Sequence, residues 1–310
     1  MTLKDWKKEK KHNNSENKRH KKPFRSFRNL FGTWILESVK EPFIKHVSIV
    51  AIGPLISQAL TTVLSPVITR LYSPESYGAL GVFLSVLSVL VPISSLSYQY
   101  AIVLPKKDKD GLKILIFIII HSFILSSVLF ILIILLKSWL ASLLNLQDFA
   151  DYLYLLPLAL FFSTSGIAFD QWMIRKKQYK ASSGIVITQS LLSNGSLIGL
   201  GYFLPRYASL IGVNIFARGF HSLAGFLYSL QSIEPRKNER KFTNSRILNR
   251  IRLNELLNEY RDFPIYRTPQ ILISTLSYNL PFLLMSIFSG TTQTGFYSLA
   301  HRVLKLPQIV

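Results

Sequence analysis

Residues 112–136 read LKILIFIIIHSFILSSVLFILIILL and contain a single charged side chain, Lys113. The hydrocarbon core of a bilayer is about 30 Å thick, so a helix needs roughly 20 apolar residues to cross it. A helix also satisfies its own backbone hydrogen bonds, which lipid cannot do. This segment therefore predicts a transmembrane helix.

Comparable apolar runs recur along the whole chain, and several contain proline or glycine, as membrane helices often do. They predict seven spans and the start of an eighth: 47–69, 78–97, 112–136, 152–170, 183–204, 208–231, 268–289 and 294–310. The predicted fold is therefore an all-α, polytopic membrane helix bundle.

The basic residues are strongly segregated. The chain has 36 Lys+Arg against 16 Asp+Glu, a formal charge of +20, yet is 49% hydrophobic. Thirty of the 36 basic residues fall in four segments, 1–46, 98–113, 175–180 and 232–267. Along the chain, these basic segments alternate with connections between spans that are poor in Lys and Arg. The positive-inside rule therefore predicts that the basic segments, and with them the N-terminus, are cytoplasmic. The charge thus indicates orientation in a membrane, and we expect no nucleic-acid partner.

The chain contains an internal repeat. Leu55-Ile56-Ser57, with Gly78 after it, recurs as Leu272-Ile273-Ser274 with Gly295 at the same spacing. The copies lie six helices apart, so both would have the same orientation, as in transporters built from parallel repeats that hold substrate between them. A matching second half would extend beyond Val310, so we expect a C-terminally incomplete chain that is inactive alone.

The repeat and the charge pattern together predict five regions. They are a disordered basic tail (1–22), an interfacial amphipathic segment (23–46), a first six-helix lobe (47–231), a basic cytoplasmic linker (232–267) and the first, incomplete hairpin of a second lobe (268–310).

A search for catalytic motifs returns almost nothing. The chain has no cysteine, no phosphate-cradling Gly-x-x-x-x-Gly-Lys and no Gly-x-Ser-x-Gly. We therefore expect a membrane transporter rather than an enzyme, without cofactor or metal.

Apart from Lys113 at the very start of its span, three cations lie inside predicted spans: Arg218, Arg302 and Lys305. A charge at the bilayer centre costs at least about 2.5 kcal/mol, so each needs a polar lumen or a partner. One interpretation is a cationic cavity for a phosphate-bearing substrate. In the alternative, Arg302 and Lys305 snorkel to the interface or pair with carboxylates in later helices.

Three other polar residues in or near the spans invite simpler interpretations. Asp170 is predicted to form a local ion pair with Arg175 at the membrane face. His121 and His221 are expected to hydrogen-bond between packed helices rather than to carry protons.

Several short motifs carry a family resemblance. They are RLYSPESYG (70–78), YQYAIVLPKK (98–107), YRTP (266–269) and TGFYSLA (294–300). They resemble the polysaccharide biosynthesis proteins of the O-antigen flippase family, within the multidrug/oligosaccharidyl-lipid/polysaccharide exporter superfamily. Within the first motif we interpret Arg70, Pro74 and Gly78 as turn-forming residues.

The resemblance implies a transporter of twelve or more helices that moves an undecaprenyl-pyrophosphate-linked oligosaccharide outward by alternating access, for O-antigen or other surface polysaccharide export. Its implied partners are that glycan lipid, the anionic membrane, and a polysaccharide polymerase and glycosyltransferases. Arg218, Arg302 and Lys305 match the type of residue that would engage pyrophosphate or an acidic sugar.

Three alternatives remain. A cation-coupled small-molecule exporter of the same superfamily should hold a carboxylate within the first lobe, and the six complete spans show none near their middles. An inactive, truncated membrane remnant is the second. A glycan polymerase or ligase should have long external loops, and the loop 137–151 is modest.

Overall fold

The computed structural model describes residues 41–143, 147–204, 206–232 and 246–304. The chain divides into two compact units after Ile49. Of the first unit only the helical backbone of 41–49 is described. The second unit is Val50–Val310.

Helices make up nearly all of the described chain, and no strand occurs in it. Its α-helices follow one another as α1 (Glu41–Leu71), α2 (Pro74–Ser95), α3 (Asp108–Leu143), α4 (Leu156–Arg175), α5 (Tyr179–Phe203), α6 (Tyr207–Ser232), α7 (Arg246–Glu259), α8 (Thr268–Ser289) and α9 (Thr291–Leu304). Two 3₁₀ segments, Tyr98–Val103 and Gln147–Leu155, and a π turn, Phe263–Arg267, connect them.

The predicted all-α membrane bundle is confirmed. Six stretches within the described residues are long and apolar enough to cross a membrane. They lie in α1, α2, α3, α4 with the 3₁₀ segment before it, α6, and α8 with the π turn. Their outer surfaces are apolar, as lipid contact requires, and on α3 the side chains of Leu135 and Phe123 are 73% and 61% exposed.

The predicted span 183–204 forms helix α5 but is not among these six. Its 25 residues are long enough, but serine, threonine, asparagine and glutamine interrupt the apolar run. Several of these polar groups face a neighbour instead of lipid. The Oγ of Ser190 donates to the carbonyl of Ser57 on α1 (3.2 Å), and Nδ2 of Asn194 donates to Oγ1 of Thr61 on α1 (3.1 Å).

The turn between α1 and α2 forms where the sequence predicted it, but Arg70 lies in the last turn of α1 and not in the turn itself. Ser73 is the N-cap of α2, its Oγ accepting from the backbone N–H of Ser76 (3.3 Å), and Pro74 is the first helical residue. Gly78, however, was wrongly assigned to this turn. It lies in the second turn of α2, where a Cβ atom would overlap the backbone carbonyl of Thr291.

The helices α2 and α9 cross at very close range through the two glycines of the repeat. A Cβ at Gly295 would overlap the carbonyl of Pro74, just as one at Gly78 would overlap that of Thr291. Thr291 is the counterpart of Pro74, and Gly295 that of Gly78, when the two copies of the repeat are aligned. The contact is therefore reciprocal: each copy offers the same glycine and meets the same position of the other.

The main apolar core lies between α2, α3, α4 and α6, around Phe83, Leu87, Leu160 and Ile211. At one end of this core, hydrogen bonds join α2 to α3 and α4. Oγ of Ser94 on α2 donates to Ser122 on α3 (3.0 Å) and accepts from Oγ1 of Thr164 on α4 (3.1 Å). Its carbonyl lies 2.8 Å from Nδ1 of His121, which confirms a helix-packing contact for this histidine.

A second apolar cluster closes the end of the bundle that is predicted to be cytoplasmic, with Trp172 and Ile102 at its centre. Helix α7 packs here through Leu256, and the hydroxyl of Tyr98 donates to the carbonyl of Leu257 (3.1 Å). Burial raises the pKa of this phenol above its ordinary value. Part of the predicted linker is thus a helix docked on the bundle.

The predicted tail, 1–22, and residues 23–40 of the predicted interfacial segment, 23–46, lie outside the described residues, as do 233–245 and 305–310.

Candidate functional site

Arg218 lies on α6 and is half-buried within the bundle. Its Nη1 donates to the Oγ of Ser163 on α4 (2.9 Å), which in turn donates to the carbonyl of Ala159 (2.6 Å). No carboxylate among the described residues forms an ion pair with Arg218. A guanidinium has five N–H donors, so most of its binding capacity is left for another group.

The side chain of Arg218 lines a cavity of about 480 Å³. Residues of α2, α4, α6 and α8 surround it, together with Gln189 of α5. Its polar lining consists of Ser88, Gln99, Tyr100, Ser163, Asp170, Gln189, Arg218, His221 and Thr275. We refer to this space as the arginine cavity. An unpaired cation in a membrane bundle is costly, so an anion bound here would be strongly favoured.

Asp170 lies on the wall of the arginine cavity and pairs with a histidine. Its Oδ2 is 2.9 Å from Nε2 of His221 on α6, and the other ring nitrogen of His221 is 2.8 Å from Oε1 of Gln189 on α5. The imidazole of His221 thereby links α4, α5 and α6 by hydrogen bonds. A doubly protonated ring satisfies both contacts, whereas a neutral ring satisfies both only if the amide of Gln189 is turned over.

The predicted ion pair between Asp170 and Arg175 is therefore wrong. Five residues along a helix correspond to about 500° of rotation, so the two side chains leave α4 on nearly opposite sides. Arg175 instead turns to the start of α3 and the chain before it. Its Nε donates to Asp108, the first residue of α3 (3.0 Å), and its terminal nitrogens donate to the carbonyls of Ile102 (3.0 Å) and Pro105 (2.7 Å). This side chain is only 6% exposed, so its role is structural.

Asp170 lies further inside its helix than the sequence predicted, because α4 continues to Arg175, beyond the predicted end of the span at 170. It is about midway between the middle of α4 and its C-terminal end. Asp170 is thus inside the helix and faces the cavity. Its Oδ1 and the Oε1 of Gln99 are buried acceptors without a hydrogen-bond partner in the described structure.

A second cavity, of about 630 Å³, adjoins the first, since Leu84 and Gln189 line both. We refer to it as the amide cavity. Its polar lining comes from α1, α2, α5, α6, α8 and α9 and consists of Ser57, Gln58, Thr61, Tyr77, Ser85, Gln189, Ser190, Ser193, Asn194, Asn214, Tyr278, Asn279, Ser298 and His301. No Asp, Glu, Lys or Arg is among the described residues of its wall.

The structure places only one of the three predicted site residues. The backbone of Arg302 belongs to α9, but its side chain lies outside the described part, and so does all of Lys305. Within the described residues no group of three or more His, Asp or Glu side chains is arranged to hold a metal ion.

Sequence reasoning identified Arg218, and it named Asp170 and His221 separately, but it missed Gln189 and the fact that all four line one cavity. Gln189, Asp170 and His221 come from three helices, so no local motif joins them. The one available signal was the polarity of α5, whose glutamine, serines and asparagine are unusual for a lipid-facing helix.

A family model described as "Polysaccharide biosynthesis protein" matches residues 67–309. The chain belongs to this family. The match includes both glycines of the α2–α9 crossing and every described residue of the arginine cavity, and it confirms the resemblance seen in the sequence. No curated protein and no solved structure gives a significant match. This member of the polysaccharide biosynthesis family is therefore a multi-pass membrane protein with a role in polysaccharide synthesis or export.

Proposed function

We propose that this protein is a flippase for a lipid-linked oligosaccharide, most specifically an undecaprenyl-pyrophosphate glycan used in O-antigen or other surface polysaccharide export. The proposal depends on Arg218. It offers a half-buried guanidinium, without an ion-pair partner among the described residues, to a cavity large enough for a phosphate group and part of a sugar. Guanidinium forks bind phosphate oxygens in pairs.

In this proposal the protein is a transporter and not an enzyme. The groups around the arginine cavity bind and orient, because a guanidinium donates hydrogen bonds to phosphate without breaking any bond. The lipid tail would remain among the apolar helix surfaces while the headgroup occupies the cavity. Alternating access would then expose the cavity to one side of the membrane and afterwards to the other.

The proposed location is the bacterial inner membrane with a cytoplasmic N-terminus, and the support is the alternation of basic loops. Glycosyltransferases would supply the glycan lipid on the cytoplasmic side, and a polymerase would receive it outside. Arg302 and Lys305 are proposed to contribute to the same cationic site.

The proposal is tested by changing Arg218 at its chromosomal locus. Arg218→Gln should abolish surface glycan while the protein still inserts into the membrane, and Arg218→Lys should retain part of it because lysine keeps the charge but loses the fork. Arg206→Gln is the matched control, since Arg206 is exposed just before α6. Normal surface glycan in the Arg218→Gln strain would exclude the proposed role.

A cation-coupled small-molecule exporter is a second candidate, and the carboxylate of Asp170 in the cavity favours it. The two candidates differ in which charge matters. An exporter of organic cations should lose drug efflux on Asp170→Asn and be little affected by Arg218→Gln, whereas a glycan flippase should show the dependence on Arg218 and no drug efflux.

A further inference from the structure

We infer that the amide cavity is a binding site for an uncharged saccharide, which would be the sugar next to the phosphate held at Arg218. The inference rests on the proposed function and adds a substrate class to it: glycans whose first sugars carry no carboxylate.

The chemistry of the wall supports a polyol ligand. Side-chain amides both donate and accept hydrogen bonds, as sugar hydroxyls do, and four of them line the cavity beside Asn194: Gln58, Gln189, Asn214 and Asn279. Serine and threonine hydroxyls also line it. The rings of Tyr278 and Phe282 add apolar surface against which the C–H face of a sugar can pack.

Part of this wall is already held in place. Nδ2 of Asn194 donates to Oγ1 of Thr61 (3.1 Å) and to the carbonyl of Ser190 (2.8 Å), and Oγ of Ser190 donates to the carbonyl of Ser57 (3.2 Å). These bonds join α1 to α5 and fix the side chains before any ligand arrives. A preorganised site loses less entropy on binding.

Other groups on the wall are available to a ligand. Gln58 and Ser193 form no side-chain hydrogen bond with any other described residue, and Asn214 uses only its Nδ2, which donates to the carbonyl of Leu210 (3.0 Å). Their remaining donors and acceptors are left for a ligand. The cavity volume of about 630 Å³ falls within the range of about 300–1,000 Å³ that is usual for ligand sites.

The lack of Arg and Lys among the described wall residues sets the specificity. A uronic acid in this cavity would bring a carboxylate against a described wall without Arg or Lys, with His301 as its one imidazole. A charge removed from water without a partner is strongly disfavoured. A neutral hexose or N-acetylated sugar meets only groups that it can hydrogen-bond or pack against.

The two cavities are arranged for one continuous ligand. Gln189 belongs to both walls and also contacts His221, so a phosphate at Arg218 and a sugar beside Gln189 would be neighbours. The sugar would extend from there towards α1.

The test measures binding of three probes to the full chain in lipid nanodiscs by native mass spectrometry. The probes are polyprenyl pyrophosphate alone, the same lipid with a neutral oligosaccharide, and the same lipid with a uronic acid as its first sugar. We expect the neutral glycan to bind about tenfold more tightly than the bare lipid, as one or two net hydrogen bonds would give. The uronate probe should show no gain over the bare lipid.

Variants identify the site that produces the gain. Gln58→Leu and Asn214→Leu should each remove about three- to tenfold of the affinity for the neutral glycan and leave the bare lipid unaffected. The side chain of Gln58 forms no hydrogen bond within the described structure, so its replacement should not disturb folding. Ser127→Leu on the exposed side of α3 is the control and should change nothing.

The outcomes separate the two proposals. A neutral glycan that binds no better than the bare lipid, a uronate that binds equally well, or insensitivity to both leucine variants would overturn the saccharide site. The flippase proposal would survive these results if Arg218→Gln still weakened all three probes. Failure of Arg218→Gln to weaken the bare lipid would instead contradict the proposed function.

Discussion

Gly78 and Gly295 meet backbone to backbone where α2 crosses α9, and a Cβ atom at Gly78 would lie 3.1 Å from the backbone nitrogen of Gly295. The two residues occupy equivalent positions in the two copies of the repeat. Small residues at a crossing allow membrane helices to approach closely and gain van der Waals contact. The structure thereby explains why both copies carry glycine at this position.

We predict that Gly78→Ala and Gly295→Ala each destabilise the protein by about 1–3 kcal/mol, because the added methyl group overlaps a backbone carbonyl that cannot move alone. Thermal unfolding of the purified protein in detergent would measure the effect. Gly212→Ala is the matched control, since a Cβ there meets nothing within 4 Å. Equal melting temperatures for Gly78→Ala and Gly212→Ala would contradict the crossing.

Arg175 should matter for stability far more than its partner Asp108. The arginine donates to three acceptors and is 6% exposed, whereas the aspartate is 59% exposed. We expect Arg175→Ala to cost about 2–3 kcal/mol, because two carbonyls lose a charged donor. Asp108→Asn should cost less than about 1 kcal/mol, since an exposed ion pair contributes little. Chemical denaturation in mixed micelles would rank the two, and a larger loss for Asp108→Asn would refute this assignment.

The docking of α7 should weaken at alkaline pH, because it involves the phenol of Tyr98. The phenol is buried, its pKa is raised by that burial, and it donates to the carbonyl of Leu257. Because the pKa of this phenol is higher in the folded state than in the unfolded state, its contribution to stability is complete below about pH 10. That contribution is lost as the pH rises through the folded-state pKa. Hydrogen exchange of α7 should therefore accelerate above about pH 10 in the wild type, beyond the intrinsic rise of exchange with pH.

The control for this effect is Tyr98→Phe, which lacks the hydroxyl. It should exchange faster than the wild type at neutral pH, by the equivalent of about 1 kcal/mol, and show no further step attributable to this residue at high pH. The same alkaline step in both proteins would assign it to another group.

The sequence predicted the helices well because a lipid-facing helix must be apolar along its whole length. The spans around Leu135 and Leu87 were found for this reason. The positions of polar groups could not be predicted in the same way. That Asp170 does not meet Arg175 follows from their five-residue spacing once α4 is known to continue to Arg175. Its contact with His221 depends on how α4 and α6 are rotated against each other, and that is decided by packing between helices distant in sequence.

The same limit applies to the candidate site. Arg218 was found because a cation within a span is costly wherever it points. Helix α5 was interpreted as an ordinary membrane span. Hydropathy averages over a helix, so it does not reveal that Gln189 and Asn194 line a cavity. Gly78 was assigned to the nearest turn because its true neighbour, Thr291, belongs to the last described helix and is far away along the chain.

The central claim is that Arg218 binds the phosphate of a lipid-linked glycan during its movement between leaflets. The most direct test measures how much of that lipid an impermeant glycosidase can reach on intact spheroplasts that carry wild-type protein, Arg218→Gln or Arg206→Gln at the chromosomal locus. We expect the accessible fraction in Arg218→Gln to fall to the level of a gene deletion, while Arg206→Gln matches the wild type. An accessible fraction in Arg218→Gln equal to that of the wild type would contradict this claim.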